Sequence, residues 1–519
     1  ISGLVSLIGA GPGDPSLLTV RGHQCVATAD VVVHDHLVDQ RLLQLIRSDA
    51  EAIDVGPAAP RSFEQDAICL LLAEKAREGK TVARLKWGDP FIFDSGGKEA
   101  LFLHEQGLPF EVVPGIPSGI GGPTYAGIPV TYPEAGDTLT LVRGDEGETG
   151  EPAQVDWKHL AKVKGTIVTY GAGPQLAAAV KALRRHGRPM SEPAALVYRG
   201  TLPSQHTIQD TLAEIEALVC RSDHHGTAVL VVGRVAALRQ HLRWFDSRPL
   251  FGLRIVVTRA RAQATELVTR LKELGADPIE APTIEIVPAD DPAPLDDACA
   301  RIGSFDWVVL SSTNAASYFM SHFLASSRDV RDLKGVQLCA VGPATADSLS
   351  RYGLKIDLIP DEYRGEGVVR ALEGSQKLMG ARVLLPRANL ANDELPDQLR
   401  DAGAAVTAVT AYQTAAVDFD TPGGPDVYRL LLEKRIDIVT FTSGSSIRNF
   451  VKVIGADQTV DLLSKVDVAC IGPVTAGTAS RLGITTTIMP SDYTVPAMVQ
   501  AIVRHVNERR QQRTTPTDR

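Results

Sequence analysis

The sequence predicts an α/β protein of two halves, each two-lobed, with the C-terminal half built by duplication. Three observations carry this reading. Short apolar strand segments alternate with helical stretches through residues 4–245. From Gly252 onward one ordered pattern is stated twice. A chain of 519 residues also exceeds what a single core holds, and the length prior gives roughly three or four domains.

The duplication is nearly free of insertions. Arg254-Ile-Val-Val-Thr-Arg-Ala260 recurs as Arg382-Val-Leu-Leu-Pro-Arg-Ala388, and Asp306-Trp-Val-Val-Leu-Ser-Ser-Thr313 as Asp437-Ile-Val-Thr-Phe-Thr-Ser-Gly444. Ala340-Val-Gly-Pro-Ala-Thr-Ala346 recurs as Cys470-Ile-Gly-Pro-Val-Thr-Ala476, and Pro360-Asp-Glu-Tyr363 as Pro490-Ser-Asp-Tyr493. The offsets are 128, 131, 130 and 130 residues. A repeat this long, with strand and helix in each segment, means two similar α/β lobes rather than a solenoid. At offset 128, Tyr412 falls opposite Ile284, a phenol where the other copy keeps an aliphatic side chain.

Composition narrows the function. Hydrophobic content of 44% and charged content of 22% describe an ordinary globular protein. No run of about 18 apolar residues is present, so no membrane span is expected. Ile1-Ser-Gly-Leu4 leads straight into a strand, so no secretory signal is expected. The six cysteines lack a C-x-x-C pair, which points away from a metal site and toward buried thiols in a reducing cytoplasm. A net charge of −9 argues against nucleic acid as partner.

In the N-terminal half the first strand, Leu4–Ile8, ends in Gly9-Ala-Gly-Pro-Gly-Asp14, and a helix is expected from about Pro15. Ala29–His34, Lys80–Lys86, Thr138–Val142, Thr166–Tyr170 and Thr227–Val232 read as strands, and Glu64–Glu78 and Pro174–His186 as helices. An acidic Gly-rich loop at 145–155 separates lobes of about 1–140 and 141–245. Residues 246–251 read as a linker, and the end of the chain, 511–519 within a frayed stretch from about Asn507, as a polar tail.

Functional loops belong at the carboxyl ends of such strands. Three glycines at alternate positions in 9–13 let backbone approach a ligand, although Pro12 removes a donor and the spacing is not G-x-G-x-x-G. Arg84-Leu-Lys-Trp-Gly-Asp-Pro-Phe-Ile-Phe93, Pro114-Gly-Ile-Pro-Ser118, Tyr125-Ala-Gly-Ile-Pro129 and Arg199-Gly-Thr-Leu-Pro-Ser-Gln205 follow in order. This series resembles the tetrapyrrole-methylase family, specifically uroporphyrinogen-III C-methyltransferases, over residues 3–245 or so. The resemblance implies S-adenosylmethionine bound between two lobes, S-adenosylhomocysteine as product, and a homodimer. Pro12 and the glycine loop would face the cleft, and Pro12, Gly88, Asp89 and Phe91 would line the donor pocket. Ser118, Tyr170, Gly200, Thr201 and Ala228 would surround the adenosine. Asp35 would orient a pyrrole N–H or take up a proton, its structural alternative being a helix cap. Methyl transfer from a sulfonium is mainly a positioning task.

The chain departs from that family's pattern at several positions. Trp87 stands where glycine is usual, Asp94-Ser95 for Gly-Arg, Lys98 for Glu, Tyr132-Pro133 for His-Arg, and Gly171 for a methionine. Lys86, Arg84, Arg143, His34 and His36 are then the candidates to meet substrate carboxylates. These departures define an alternative in which the methylase half serves as a dimerisation or donor-sensing module.

In the duplicated half, hydroxyls at helix N-termini attract anions through unpaired N–H groups. Ser311, Ser312, Thr313 and Thr345 in one copy, with Thr442, Ser443, Ser445, Ser446 and Thr475 in the other, form two mirrored rims for carboxylates, each residue also being a candidate helix cap. Arg259 and Arg387 add charge at strand ends. Over Gly252 to about His505 this half resembles uroporphyrinogen-III synthases, through Leu310-Ser-Ser-Thr-Asn314, the two Gly-Pro-x-Thr-Ala segments, Leu384-Leu-Pro-Arg-Ala388 and Ala411-Tyr-Gln-Thr414. The resemblance implies a synthase domain over 252–510, with one lobe of 252–285 plus 414–510 and another of 286–413. It also implies cyclisation of hydroxymethylbilane through a spiro intermediate, without metal or cofactor. Tyr412 matches that family's interlobe tyrosine and would protonate the leaving hydroxyl. A phenol is a weak acid at neutral pH. Its structural alternative is a core tyrosine tied to a neighbouring strand. The whole reads as an enzyme that makes uroporphyrinogen III and methylates it to precorrin-2.

Overall fold

The computed structural model describes residues 2–56, 64–144, 154–221, 227–362, 365–375, 378–389, 394–416 and 426–514. Compactness divides the chain into two units, Ile1–Leu253 with Leu271–Asp277 and Val506–Arg519, and Arg254–Arg270 with Pro278–His505. Most of the acidic loop foreseen at 145–155, the repeat's Tyr363 and the last five residues lie outside the described residues.

The first unit contains two sheets. One joins β1 (Val5–Gly9), β2 (Val31–His34), β3 (Glu51–Asp54), β4 (Val82–Lys86) and β5 (Phe110–Val113) in the order β3-β2-β4-β1-β5, all parallel. The central strands are buried along their whole length, as runs such as Val31-Val-Val require when helices cover both faces. The other sheet joins β6 (Leu139–Arg143), β7 (Thr166–Gly171), β8 (Pro193–Tyr198), β9 (His206–Thr211) and β10 (Ala228–Val232) in the order β6-β7-β10-β8-β9. Only β6 and β7 run parallel; the Arg199–Gln205 motif is the loop of the antiparallel β8–β9 pair.

Three expectations are corrected. Pro15 opens a short 3-10 turn capped by Asp14, and the helix begins at Val20, where the Thr19 hydroxyl accepts from the Gly22 amide. Residues 246–251 are not a loose linker, since Leu250 is fully buried and Phe245 packs edge-on to Phe251 with ring centroids 5.3 Å apart. The polar tail is helical to Thr514, because Val495–Thr514 is one helix anchored by Met498, Ile502 and Val506. Beyond Val506, Glu508, Arg509, Arg510 and Gln511 are good helix formers and propagate it.

The second unit shows how the two copies of the repeat are used. One sheet joins β11 (Arg254–Val257), β12 (Asp277–Glu280), β18 (Ile438–Phe441) and β19 (Asp467–Cys470) in the order β12-β11-β18-β19. The other joins β13 (Ile284–Pro288), β14 (Trp307–Leu310), β15 (Gln337–Ala340), β16 (Arg382–Ala388) and β17 (Ala405–Ala416) in the order β13-β17-β16-β14-β15. Each sheet therefore combines strands of both copies. Matching contacts seal the exchange: the Arg254 amide donates to Asp437 Oδ2 at 2.7 Å, and the Arg382 amide to Asp306 Oδ2 at 2.8 Å. β13 and the end of β17 pair antiparallel, with Ile286 opposite Thr414, its own counterpart at offset 128. A residue facing its own repeat partner marks a local two-fold axis.

Under the first sheet lies a buried ionic cluster. Arg84, Lys86 and Glu99 are each at most 1% exposed. Arg84 bridges Asp35 at 2.5 Å and Glu99 at 3.1 Å; Lys86 bridges Glu99 at 3.0 Å and Asp94 at 2.8 Å, and donates to Ser95 Oγ at 2.9 Å. Burial alone would raise the Glu99 carboxyl, but Arg84 and Lys86 outweigh it and hold it below the usual glutamate range. Arg84 and Lys86 are thus committed inside the protein, which corrects their reading as cations available to a substrate. Replacing Glu99 by Ala leaves two buried cations short of a partner and is expected to cost about 3–5 kcal/mol in urea denaturation of the intact chain. A carboxyl held low in the folded state contributes stability above its unfolded value of about 4.3 and loses it as pH falls through the folded value. The gap between wild type and Glu99→Ala should therefore shrink in acid; an unchanged midpoint at neutral pH contradicts the assignment.

Candidate active sites

In the first unit three strand-end loops meet backbone to backbone. A Cβ on Gly9 would come within 2.5 Å of Gly115 Cα and 2.6 Å of the Gly88 carbonyl oxygen. Gly11 and Gly88 exchange N–H···O bonds of 3.1 and 3.0 Å. Asp89 pins the junction, accepting from the Phe91 amide at 2.9 Å and the Gly115 amide at 3.0 Å. Glycine is required at 9 by contact and at 88 by its φ of +67°. Pro12 is buried against the helix Ser118–Tyr125, where a Cβ on Gly121 would lie 2.6 Å from its ring.

The second sheet's loops reach the same place. The Tyr170 hydroxyl accepts from the Gly119 amide at 2.9 Å, and its ring meets Phe93 edge-on at 5.4 Å. Thr201, in the left-handed region at φ +73°, accepts the Asp14 amide at 3.0 Å, and Gly200 lies against Gly122. Ala228 is paired with Gly171 and Tyr198. Pro12, Gly88, Asp89, Ser118, Tyr170, Gly200, Thr201 and Ala228 are thus gathered by one chain of contacts, while Phe91 is 55% exposed. Asp14 was overlooked from sequence: it accepts the Tyr125 hydroxyl at 3.1 Å, and burial together with Asp14 pushes that phenol up to about 12. Its signal was its place at the end of the glycine loop.

Asp35 is not a helix cap; Asp39 caps the next helix, Gln40–Leu43. Its oxygens are engaged by Arg84 and by the Trp87 amide at 3.2 Å. That links it to the Trp87–Asp89 loop but leaves a base role in need of displacing those contacts. His34 is buried with Nδ1 3.2 Å from the Asp35 carbonyl oxygen, and His36 faces Asp54 at 3.1 Å. A Cβ built on Gly88 would make ordinary van der Waals contact with Pro117 Cα at 3.8 Å and the Ser118 nitrogen at 3.9 Å, so the glycine loop packs against the start of the helix Ser118–Tyr125.

In the second unit, Ser312 caps the helix Thr313–Ala325, accepting from the Ala315 amide at 3.1 Å. Ser443 does the same for Gly444–Ile454, accepting from Ser446 at 3.1 Å, with Ser445 Oγ 2.9 Å away. Ser311 is exposed and Thr313 half-buried at the helix start. Thr345 and Thr475 are corrected as rim residues: they are 3% and 4% exposed, and the Thr345 hydroxyl donates back to the Val341 carbonyl. This i−4 bond ties the first turn of the helix Pro343–Ser350 to the strand end before it. Arg259 is half-buried beside the neutral Gln263 side chain at 3.2 Å, and burial pushes its pKa below the ordinary arginine value. Arg387 is half-buried at the end of β16.

Tyr412 joins the first of these rims. Its hydroxyl lies 3.2 Å from Ser312 Oγ, and its ring stacks on Tyr318 at 5.5 Å with planes 26° apart. The register between β16 and β17 shifts here, Arg387 facing Thr410 but Ala388 facing Tyr412. Ala411 is the extra residue of a bulge. Successive strand residues normally face opposite ways, yet Ala411 and Tyr412 pack into one core, which the bulge permits. The hydroxyl is tied to a helix N-terminus rather than to a strand.

Among the described residues no cluster of His, Cys, Asp and Glu suits a metal, and no helix is long and apolar enough to cross a membrane. The family model for tetrapyrrole (corrin/porphyrin) methylases matches residues 4–216, and that for uroporphyrinogen-III synthase HemD matches residues 265–500. A "porphyrin biosynthesis protein HemD" of Ruminiclostridium josui is 33% identical over 506 residues, 96% of this chain and 98% of that protein. A uroporphyrinogen-III C-methyltransferase of Bacillus subtilis (strain 168) is 32% identical over 405 residues, 77% of this chain and 82% of its own length. The crystal structure of a uroporphyrin-III C-methyltransferase from Thermus thermophilus, complexed with S-adenosylhomocysteine, is 34% identical over 46% of this chain and all of that one, with TM-score 0.40. The chain belongs to the family of porphyrin-biosynthesis proteins that join a tetrapyrrole methylase to a uroporphyrinogen-III synthase.

Proposed function

We propose that one chain closes hydroxymethylbilane to uroporphyrinogen III and then methylates the product twice, to precorrin-2. The single observation that carries the first step is the Tyr412 hydroxyl held at the N-terminus of the helix Thr313–Ala325. The phenol donates its proton to the terminal hydroxyl of the bilane. The C–O bond breaks toward water, and the pyrrole nitrogen lone pair fills the vacancy. When the inverted ring closes, the proton lost from the pyrrole carbon restores the phenol. No external acid, metal or oxidant is consumed.

For the second step, the glycine junction of Gly9, Gly88 and Gly115 supports a methyl-donor site. S-adenosylmethionine supplies an activated methyl group and leaves as S-adenosylhomocysteine. The chain's own residues position: Asp89 fixes the loop, Tyr170 and Thr201 bring the second sheet's loops to it, and Pro12 closes the glycine turn. Positioning alone suits a donor whose leaving group is preformed. We further propose a homodimer through the methylase half and a cytoplasmic protein; the free, buried thiols of Cys25, Cys69, Cys299, Cys339 and Cys470 suit a reducing compartment.

Two measurements follow. Titration of the intact protein with S-adenosylhomocysteine should give saturable heat in the micromolar range, and Gly88→Val, strained at φ +67° and crowding Pro117 and Ser118 at the glycine junction, should weaken it at least about tenfold. No heat at high micromolar ligand contradicts a donor site. Tyr412→Phe should lower the synthase rate about a hundredfold with little change in melting temperature; an unchanged rate removes the phenol from the chemistry.

A further inference from the structure

We propose that Ser312 is a positioning residue for the Tyr412 phenol, turning its proton toward the leaving group and backing the phenolate with the helix N-terminus. This rests on the reading of Tyr412 as the acid.

A serine hydroxyl has one proton and two lone pairs. Ser312 Oγ accepts the Ala315 amide at 3.1 Å and lies 3.2 Å from the Tyr412 hydroxyl. With one lone pair held by the helix, its proton is free to point at the phenolic oxygen, and the phenol's own proton then points away from the serine. The ring cannot easily turn to find another partner. It is 8% exposed and stacked on Tyr318. Charge left on the phenolic oxygen would face a serine O–H whose oxygen is itself bonded to a helix amide, so the helix dipole acts through one side chain.

The second copy supplies an internal comparison. Ser443 occupies the same cap and accepts the Ser446 amide at 3.1 Å, but its hydroxyl partner is Ser445 Oγ at 2.9 Å. The counterpart of Tyr412 in the repeat is Ile284. Capping accounts for the serine in both copies; the phenol contact belongs to Ser312 alone. This also redirects Ser312 from its expected role on a substrate carboxylate, because its hydrogen-bonding capacity is used within the protein.

The test is steady-state turnover of hydroxymethylbilane, with melting temperatures, for Ser312→Ala, Ser312→Thr, Ser312→Asp, Tyr412→Phe and the Ser312→Ala/Tyr412→Phe double variant. Ser312→Ala should lower kcat about tenfold, the scale of one hydrogen bond, with KM unchanged. Ser312→Thr keeps both cap and proton and should keep the rate. Ser312→Asp caps the helix but has no proton to donate at neutral pH, so the melting temperature should return without the rate. In the Tyr412→Phe background, Ser312→Ala should cost nothing further.

A raised KM at unchanged kcat would make Ser312 a substrate contact. Rescue of the rate by Asp would make it only a cap, and a full additional loss in the Tyr412→Phe background would show that it does not act through the phenol. If Tyr412→Phe alone is as fast as wild type, the acid assignment falls and this inference with it. If only that variant is slow and Ser312→Ala is not, Ser312 alone is wrongly assigned.

Discussion

The second unit depends on one short antiparallel pairing, β13 against the end of β17, centred where Ile286 faces Thr414. Because the paired residues are equivalents in the repeat, the pairing relates the two sheets' connecting strands by local two-fold symmetry. β17 pairs parallel with β16 through Tyr412, past the bulge at Ala411, and from Tyr412 onward pairs antiparallel with β13. Tyr412 sits at the change. A one-residue slip in register would send the phenol to the other face of the sheet and away from Ser312. The position of the catalytic candidate is thus fixed by strand pairing rather than by a flexible loop.

Much of this was readable from the sequence. The repeat offsets locate equivalent strands closely: β11 and β16 are separated by 128 residues, β14 and β18 by 131, and β15 and β19 by 130. Buried strands announce themselves through runs such as Val31-Val-Val and Trp307-Val-Val-Leu. What escaped was the fate of single polar groups. Thr345 and Ser312 look alike at a helix start, yet one hydroxyl turns back to the backbone just before its helix and the other meets a phenol. That choice depends on one turn of helix and on a bulge, neither of which has a periodic signature. The helical end of the chain escaped for the opposite reason: Glu508–Gln511 lack apolar period, and intrinsic propensity carries the helix on from its anchored first turns.

The methylase half shows a similar division between backbone and side chains. Its glycine junction could be anticipated because only glycine tolerates such backbone approach. The unusual Asp94-Ser95 pair could not be judged in the same way. In the fold both side chains satisfy Lys86, which is buried with Arg84 and Glu99, so the departure is absorbed by the interior ionic cluster beneath the loop. The charge of Arg84 and Lys86 is spent on holding the end of β4, where the glycine junction begins.

The two halves act in sequence on one tetrapyrrole. Sequential action is tested most directly by giving the purified intact chain hydroxymethylbilane and methyl-labelled S-adenosylmethionine, with no other enzyme, and following the label by mass. The account predicts a cyclic tetrapyrrole that has lost one water and carries two labelled methyl groups. Accumulation of unlabelled uroporphyrinogen III in the presence of the donor would contradict it.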